Sequence, residues 1–308
     1  MKNLQDIQNH VQFDNFEFIA HQIVEGFITG QHRSPFHGFS VEFAEHRLYN
    51  QGESTKHIDW KLFAKTDKLF LKRYEEETNL RCHIVIDSSS SMLYPFQDTS
   101  LESKFNFSLY SAAALIHLLR KQRDAVGLTF FDTDISVYTD AKLSHTHIQR
   151  LYAELNKAFH SQPNYPVQKE TNIAPVLHTI AERAHQRSLI IIFSDFFQNS
   201  SYEDIYAAFQ HLKYNKHEII VFHTIEPKTE ELFEFSNKPL HITDMETGEK
   251  IKIHPNLVRE NYAENVHSII SNLSLKCAEY GIDYNEADIN KGFYQVLLSF
   301  LIKRNKLF

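Results

Sequence analysis

From about residue 81 the chain alternates two kinds of pattern. CHIVID (82–87), SLIIIFSD (188–195) and HEIIVFHTI (217–225) are apolar at nearly every position, so they read as strands covered on both faces. Between them lie segments with apolar residues three and four apart. These are SKFNFSLYSAAALIHLLRKQRD (103–124), THIQRLYAELNKAF (146–159), NIAPVLHTIAERAHQ (172–186) and YEDIYAAFQHLK (202–213), each predicted helical. AVGLTFFDTDISVYT (125–139) reads as two strands around an Asp-Thr-Asp turn, and PLHITDMETGEKIKIH (239–254) as a hairpin around Thr247-Gly248. Two further helices are expected in 257–281 and 292–304. Buried strands separated by helices imply a doubly wound, mostly parallel α/β sheet flanked by helices.

The first 80 residues differ. Phe16, Ile19, Ile23, Val24, Phe27 and Ile28 sit at helical spacing, with Gly30 as the stop. Turn signals at Gln51-Gly52 and Thr66-Asp67, with alternation in KLFLKRY (68–74), suggest short strands or hairpins. The expected division is therefore a mixed N-terminal segment, 1–80, and an α/β domain, 81–308.

Composition adds mostly exclusions. The 308 residues carry a formal charge of −7, which argues against an electrostatic nucleic-acid binder. Two cysteines without a Cys-x-x-Cys pair rule out a disulfide framework and suit a reducing compartment. No apolar run approaches the roughly 18 residues of a membrane helix, and the N-terminus has early acids and no apolar signal core. A cytoplasmic location is the expectation. The 19 histidines are scattered without metal-ligand spacing.

Candidate chemistry begins where CHIVID runs into four serines, Ser88 to Ser91. Ligands of open α/β sheets bind outside the carboxyl ends of the strands, so Asp87 and these hydroxyls stand on the functional edge. Asp87, Ser89 and Ser91 offer hard oxygens from one turn, which suits a small cation such as Mg2+. The alternative is a Ser-rich turn with Ser91 capping a helix. SLIIIFSD ends in Ser194-Asp195, a second acid on the same edge or a helix cap. Thr171 stands immediately before a helix with Pro175 in its first turn, either as N-cap or as a further ligand. Asp98, Asp132 and Asp134 read as solvated turn acids, and Asp59 as a salt-bridge partner of Lys56 or Arg73 beside Trp60, the single tryptophan.

Asp-x-Ser-x-Ser, then Thr, then Asp resembles the metal-ion-dependent adhesion site of von Willebrand factor A-like domains. Upstream, Arg47, Tyr49, Gly52, Ile58-Asp59-Trp60, Ala64, Leu69 and Tyr74-Glu75 resemble the bacterial family called domain of unknown function 58, as does the ending from Gly281. Members commonly have glycines before the threonine, where this chain has Gln-Lys-Glu. The resemblance implies a von Willebrand factor A-like, Rossmann-like fold. It implies Mg2+ or Mn2+ at Asp87, Ser89, Ser91, Thr171 and Asp195, with the two acids acting largely through waters. A cation held by neutral hydroxyls stays electrophilic and takes an acidic side chain from another protein. The expected function is a non-enzymatic, metal-dependent interaction module working with a MoxR-type AAA+ ATPase in a chaperone-like system. The alternative is a Mg2+-dependent phosphohydrolase using Asp87, which needs a general base and a cationic clamp that the sequence does not display.

Overall fold

A computed structural model describes residues 15–30, 46–48, 60–72, 80–95, 103–162, 171–197, 201–245 and 248–307. Two compact units emerge, Gln31–Asn79 and the remainder of the chain.

In the larger unit six strands form one sheet. They are β3 (Arg81–Asp87), β4 (Ala125–Phe131), β5 (Ile135–Tyr138), β6 (Leu189–Ser194), β7 (Glu218–Ile225) and β10 (Asp283–Asp288), in the order β10-β7-β6-β3-β4-β5. All neighbours are parallel except β4 and β5, joined by the expected Asp-Thr-Asp turn. The chain winds outward from β3 through β4 to β5, then crosses back to β6 on the other side of β3. This is the doubly wound order, whose direction of winding reverses between β3 and β6.

The helices are α3 (Lys104–Lys121), α4 (His145–His160), α5 (Ile173–Arg183), α6 (Tyr202–Tyr214), α7 (Pro255–Glu279) and α8 (Tyr294–Leu307). Strand residues alternate between faces. Val85, Ile190, Ile192, Ile219 and Val221 pack against Leu177 and Ile180 of α5, Phe209 and Leu212 of α6, and Leu273 of α7. The intervening Ile84, Ile86, Ile191, Phe193, Ile220 and Phe222 are equally buried on the opposite face. Each such side chain contributes about 2 kcal/mol by leaving water.

Helix α3 is buried almost throughout, from Phe105 to Leu119, although its sequence carries Ser108, Ser111 and His117. A helix covered on all sides needs a neighbour beyond the sheet. That neighbour is α1 (Phe16–Gly30). Phe16 stacks on Tyr110 at 5.3 Å, and Glu17 and Glu25 pair with Arg120 and Lys121 at 2.5 and 3.0 Å. The three alanines Ala112–Ala114, fully buried, keep α3 slim enough to be packed from both sides. The segment expected as one N-terminal unit, 1–80, is thus divided. Its helix joins the α/β unit because the apolar stripe read from Phe16 onward is the cover that α3 requires.

The smaller unit contains β1 (His46–Leu48) paired antiparallel with β2 (Phe70–Lys72), and a helix, α2 (Trp60–Thr66), that the turn-rich sequence did not announce. The expected Thr66-Asp67 turn is present, with Asp67 at φ 54°. Asp59, Lys56, Arg73, Asp98 and the Gln51-Gly52 turn lie outside the described residues. The predicted hairpin forms as β8 (Leu240–Thr243) and β9 (Lys250–Ile253), with Gly248 at φ 77°. Strand β10 went unpredicted: DYNEAD has only Tyr284 and Ala287 as apolar residues, because it is an edge strand covered unevenly.

Candidate functional site

The reversal of winding places the ends of β3 and β6 side by side, with Ile86 opposite Phe193. Asp87 closes β3 and Ser194 closes β6, both fully buried. Ser194 Oγ donates to Asp87 Oδ2 at 2.7 Å. The other carboxylate oxygen, Oδ1, accepts from the backbone N–H of Ser89 at 2.9 Å, an Asx turn that folds the serine run back over its own strand. Ser88 holds the bend from outside: its N–H and Oγ both donate to the Phe131 carbonyl at 2.7 Å. Within this bend Ser89 Oγ and Ser91 Oγ stand 3.1 Å apart.

Thr171 Oγ1 donates to Asp87 Oδ2 at 3.2 Å. Its neighbour Asn172 donates its N–H to the Asp132 carbonyl at 3.2 Å, which pins the start of α5 to the β4–β5 turn. Asn172 is the residue that precedes α5, and no side chain caps that helix. The N-cap alternative for Thr171 is therefore set aside, since its hydroxyl serves Asp87. Ser91 does not cap a helix either; it begins a short 3-10 turn, Ser91–Leu93, that has no side-chain cap. Asp132 and Asp134 are turn residues, Asp134 N–H reaching Asp132 Oδ1 at 3.4 Å.

Asp195 is buried on the same edge, with a separate set of contacts. Its Oδ2 accepts from Lys104 Nζ at 2.7 Å and its Oδ1 from the Phe197 N–H at 3.1 Å. Lys104, at the first position of α3, is completely buried and also donates to Glu230 Oε1 at 2.5 Å. Sequence reasoning missed this lysine. A signal existed: a cation in the first turn of a helix opposes the helix dipole, and α3 has no acid there to offset it. Burial drives the Lys104 ammonium toward losing its proton, but Asp195 and Glu230 outweigh that, and its proton affinity ends above the ordinary lysine value. Ser194, quoted in the strand-end pattern, was not anticipated as a partner of Asp87.

Asp87 is the electrostatically costly member. Burial, then the nearby charge of Asp195, raises its pKa to about 6, against the opposing hydrogen bonds from Ser89 and Ser194. A buried carboxylate under that pressure is relieved by a cation. The residues present fit a small hard one: adjacent ligands of an octahedral Mg2+ lie ~2.9 Å apart, close to the 3.1 Å between the Ser89 and Ser91 hydroxyls. Among the described residues no group of three or more His, Cys, Asp or Glu could hold a metal. A donor set of hydroxyls with two acids suits Mg2+ or Mn2+ rather than a soft metal.

The fold and this edge define a class: an α/β domain whose buried acid, at the switch point of the sheet, gathers a backbone N–H from its own loop and hydroxyls from two distant elements. The chain belongs to the DUF58 family of proteins of unknown function, which matches residues 45–269. It is 20% identical over 247 residues to an uncharacterized protein of Mycobacterium bovis, covering 80% of this chain and 74% of the relative, and likewise to one of Mycobacterium tuberculosis. Among solved structures it is similar to the conserved hypothetical protein BatB from Bacteroides thetaiotaomicron, at TM-score 0.38 and 16% identity, covering 72% of this chain and 99% of that one. It is also similar to the SpRpn10 VWA domain, at TM-score 0.35 and 15% identity, covering 47% and 75%.

Proposed function

We propose that this chain is a non-enzymatic docking module whose grip on a protein partner depends on a divalent cation. Ser89, Ser91 and Thr171 would hold Mg2+ or Mn2+ through their hydroxyls, with Asp87 and Asp195 behind them. The bound cation would supply an electrophilic position for one oxygen from a partner's Glu or Asp. The observation that carries this reading is the Asp87 carboxylate, fully buried and holding Ser89, Thr171 and Ser194 from three elements at the strand ends. The 3.1 Å between the Ser89 and Ser91 hydroxyls supports this reading, because a pair already that close needs little reorganisation to share a cation. The partner is a MoxR-type AAA+ ATPase or its client in a chaperone-like system, in a reducing, cytoplasmic setting. Among the described residues, no helix is long and apolar enough to cross a membrane.

The phosphohydrolase alternative needs a cation facing substrate. Lys104 is the nearest candidate, but it is fully buried and engaged by Asp195 and Glu230, leaving no charge for a phosphate. The docking reading is therefore preferred.

Mn2+ binding followed by electron paramagnetic resonance, together with pull-downs from the native host, tests the proposal. Wild-type protein should bind Mn2+ and retain a partner; Asp87→Ala and EDTA should each lower partner recovery at least about tenfold. Recovery unchanged under both treatments would refute it.

A further inference from the structure

The Asp87 loop has a second side. While Ser89 and Ser91 turn toward each other, the intervening Ser88 and Ser90 form the wall of a cavity of about 380 Å³. Its floor is apolar: Leu93 from the 3-10 turn, Phe105 from α3, and Phe130 and Val137 from the β4–β5 hairpin. Leu93, Phe105 and Phe130 are each buried in the fold while still lining this space. On α4 the rim carries Glu154 and, one turn on, Lys157. One acid and one base leave it close to neutral, so it selects for no net charge.

We infer that this cavity seats a large apolar side chain of the same protein partner that offers its acid to the cation, so that the recognised element is an extended acidic–apolar pair. The inference rests on the docking proposal above, and three features lead to it. Ser88 and Ser90 alternate with Ser89 and Ser91 along one turn. The cavity wall and the hydroxyls thus belong to adjacent residues of one loop, a separation that one or two extended residues of ~3.5 Å each would span. The volume lies in the range of built ligand pockets and exceeds a single aromatic ring, leaving room for the backbone that carries it. The wall is also rigid, with Ser88 fastened twice to the Phe131 carbonyl. Charge recognition thus falls to the cation, while the neutral, apolar cavity provides contact area and register.

The test is a display library of random short peptides selected on the full chain in Mg2+. Enriched sequences should place Phe, Tyr, Trp or Leu within three residues of an Asp or Glu. Their affinity, measured on synthesised winners, should fall about tenfold or more in Ala158→Trp, which fills the cavity from α4. Mn2+ binding by that variant should equal wild type, whereas Asp87→Ala should lose both. Should Ala158→Trp fail to fold by circular dichroism, Ser136→Trp, at an exposed lining position, takes its place.

Winners with an acid but no apolar preference, or full affinity in the filled variant with Mn2+ still bound, overturn the seat and leave the cation reading intact. Loss of Mn2+ binding in wild type removes the underlying reading instead. Enrichment that ignores both the acid and EDTA assigns the cavity to another occupant, a small apolar ligand or a second copy of the chain, and equally overturns the proposal. A selection that yields no enriched sequence does so too.

Discussion

Lys104, Asp195 and Glu230 form a buried triad in which one ammonium answers two carboxylates. Burial raises the pKa of Glu230, against the opposing pull of the Lys104 ammonium. Replacing Lys104 with Met keeps the volume and removes the charge. Breaking a buried pair from one side costs ~3–5 kcal/mol, and urea denaturation of Lys104→Met should show a loss of that order. A change below about 1 kcal/mol would mean the site relaxes around the missing ammonium, with Glu230 taking up a proton. The triad also marks a limit of legibility. Asp87, Ser89 and Ser91 are legible because they are neighbours at a strand end, and Thr171 because it opens a helix. Lys104 lies 91 and 126 residues from its partners. Nothing local to SKFNF except the misplaced charge hints at that pairing.

Among the elements, the β4–β5 hairpin carries the heaviest constraint, since it supplies the Phe131 carbonyl to Ser88 and the Asp132 carbonyl to Asn172. Gly127 shows how tightly it is set. A Cβ there would meet His83 Nδ1 at 2.5 Å and the Thr139 carbonyl oxygen at 2.6 Å. His83 is locked by Thr129 at 2.7 Å and cannot step aside freely. Gly127→Ala should therefore destabilise by ~1–3 kcal/mol, measured as a lowered urea midpoint at unchanged slope; a midpoint equal to wild type would show that strand and ring can shift. Element type was readable wherever periodicity was strong, as in β3, β6, β7 and α3 to α6. It failed for β10, where half-covered polar residues mimic a loop, and for α2, which is too short to show a helical repeat. The place of α1 could not be read either. Its stripe predicts a buried face without saying that α3 is what it covers.

For the molecule as a whole, buried imidazoles set the response to acid. Burial lowers the pKa of His83 and of His223 to about 4, and does the same for His117 on α3. The unfolded chain binds these protons near pH 6.5 and the folded one refuses them until about 4, so stability is complete above 6.5 and declines as pH falls through that window. Asp87 acts in the opposite sense: its raised pKa means the folded state gains relative to the unfolded one as pH falls from about 6 toward 4. Glu230, also raised, acts with Asp87, and His217, also lowered, acts with the other imidazoles; four histidines against two acids leave a net loss. The Tm in metal-free buffer should be lower at pH 5 than at pH 7, by about 2 °C for each kcal/mol. A Tm that rises on acidification would show that Asp87 outweighs the imidazoles.

The hydroxyls that meet at Asp87 come from far along the chain: Thr171 is 84 residues away and Ser194 is 107. Loops of that length close late, because their entropy must be lost before any contact compensates it. A polypeptide still emerging from the ribosome therefore has β3 and β4 in hand long before the edge around Asp87 can be completed. Any fragment that stops short of β6 lacks the Ser194 hydroxyl, the shorter of the two side-chain bonds to Asp87. On the proposed docking reading, competence to engage a partner is in this way tied to completion of the fold, and a half-made copy cannot act as a decoy.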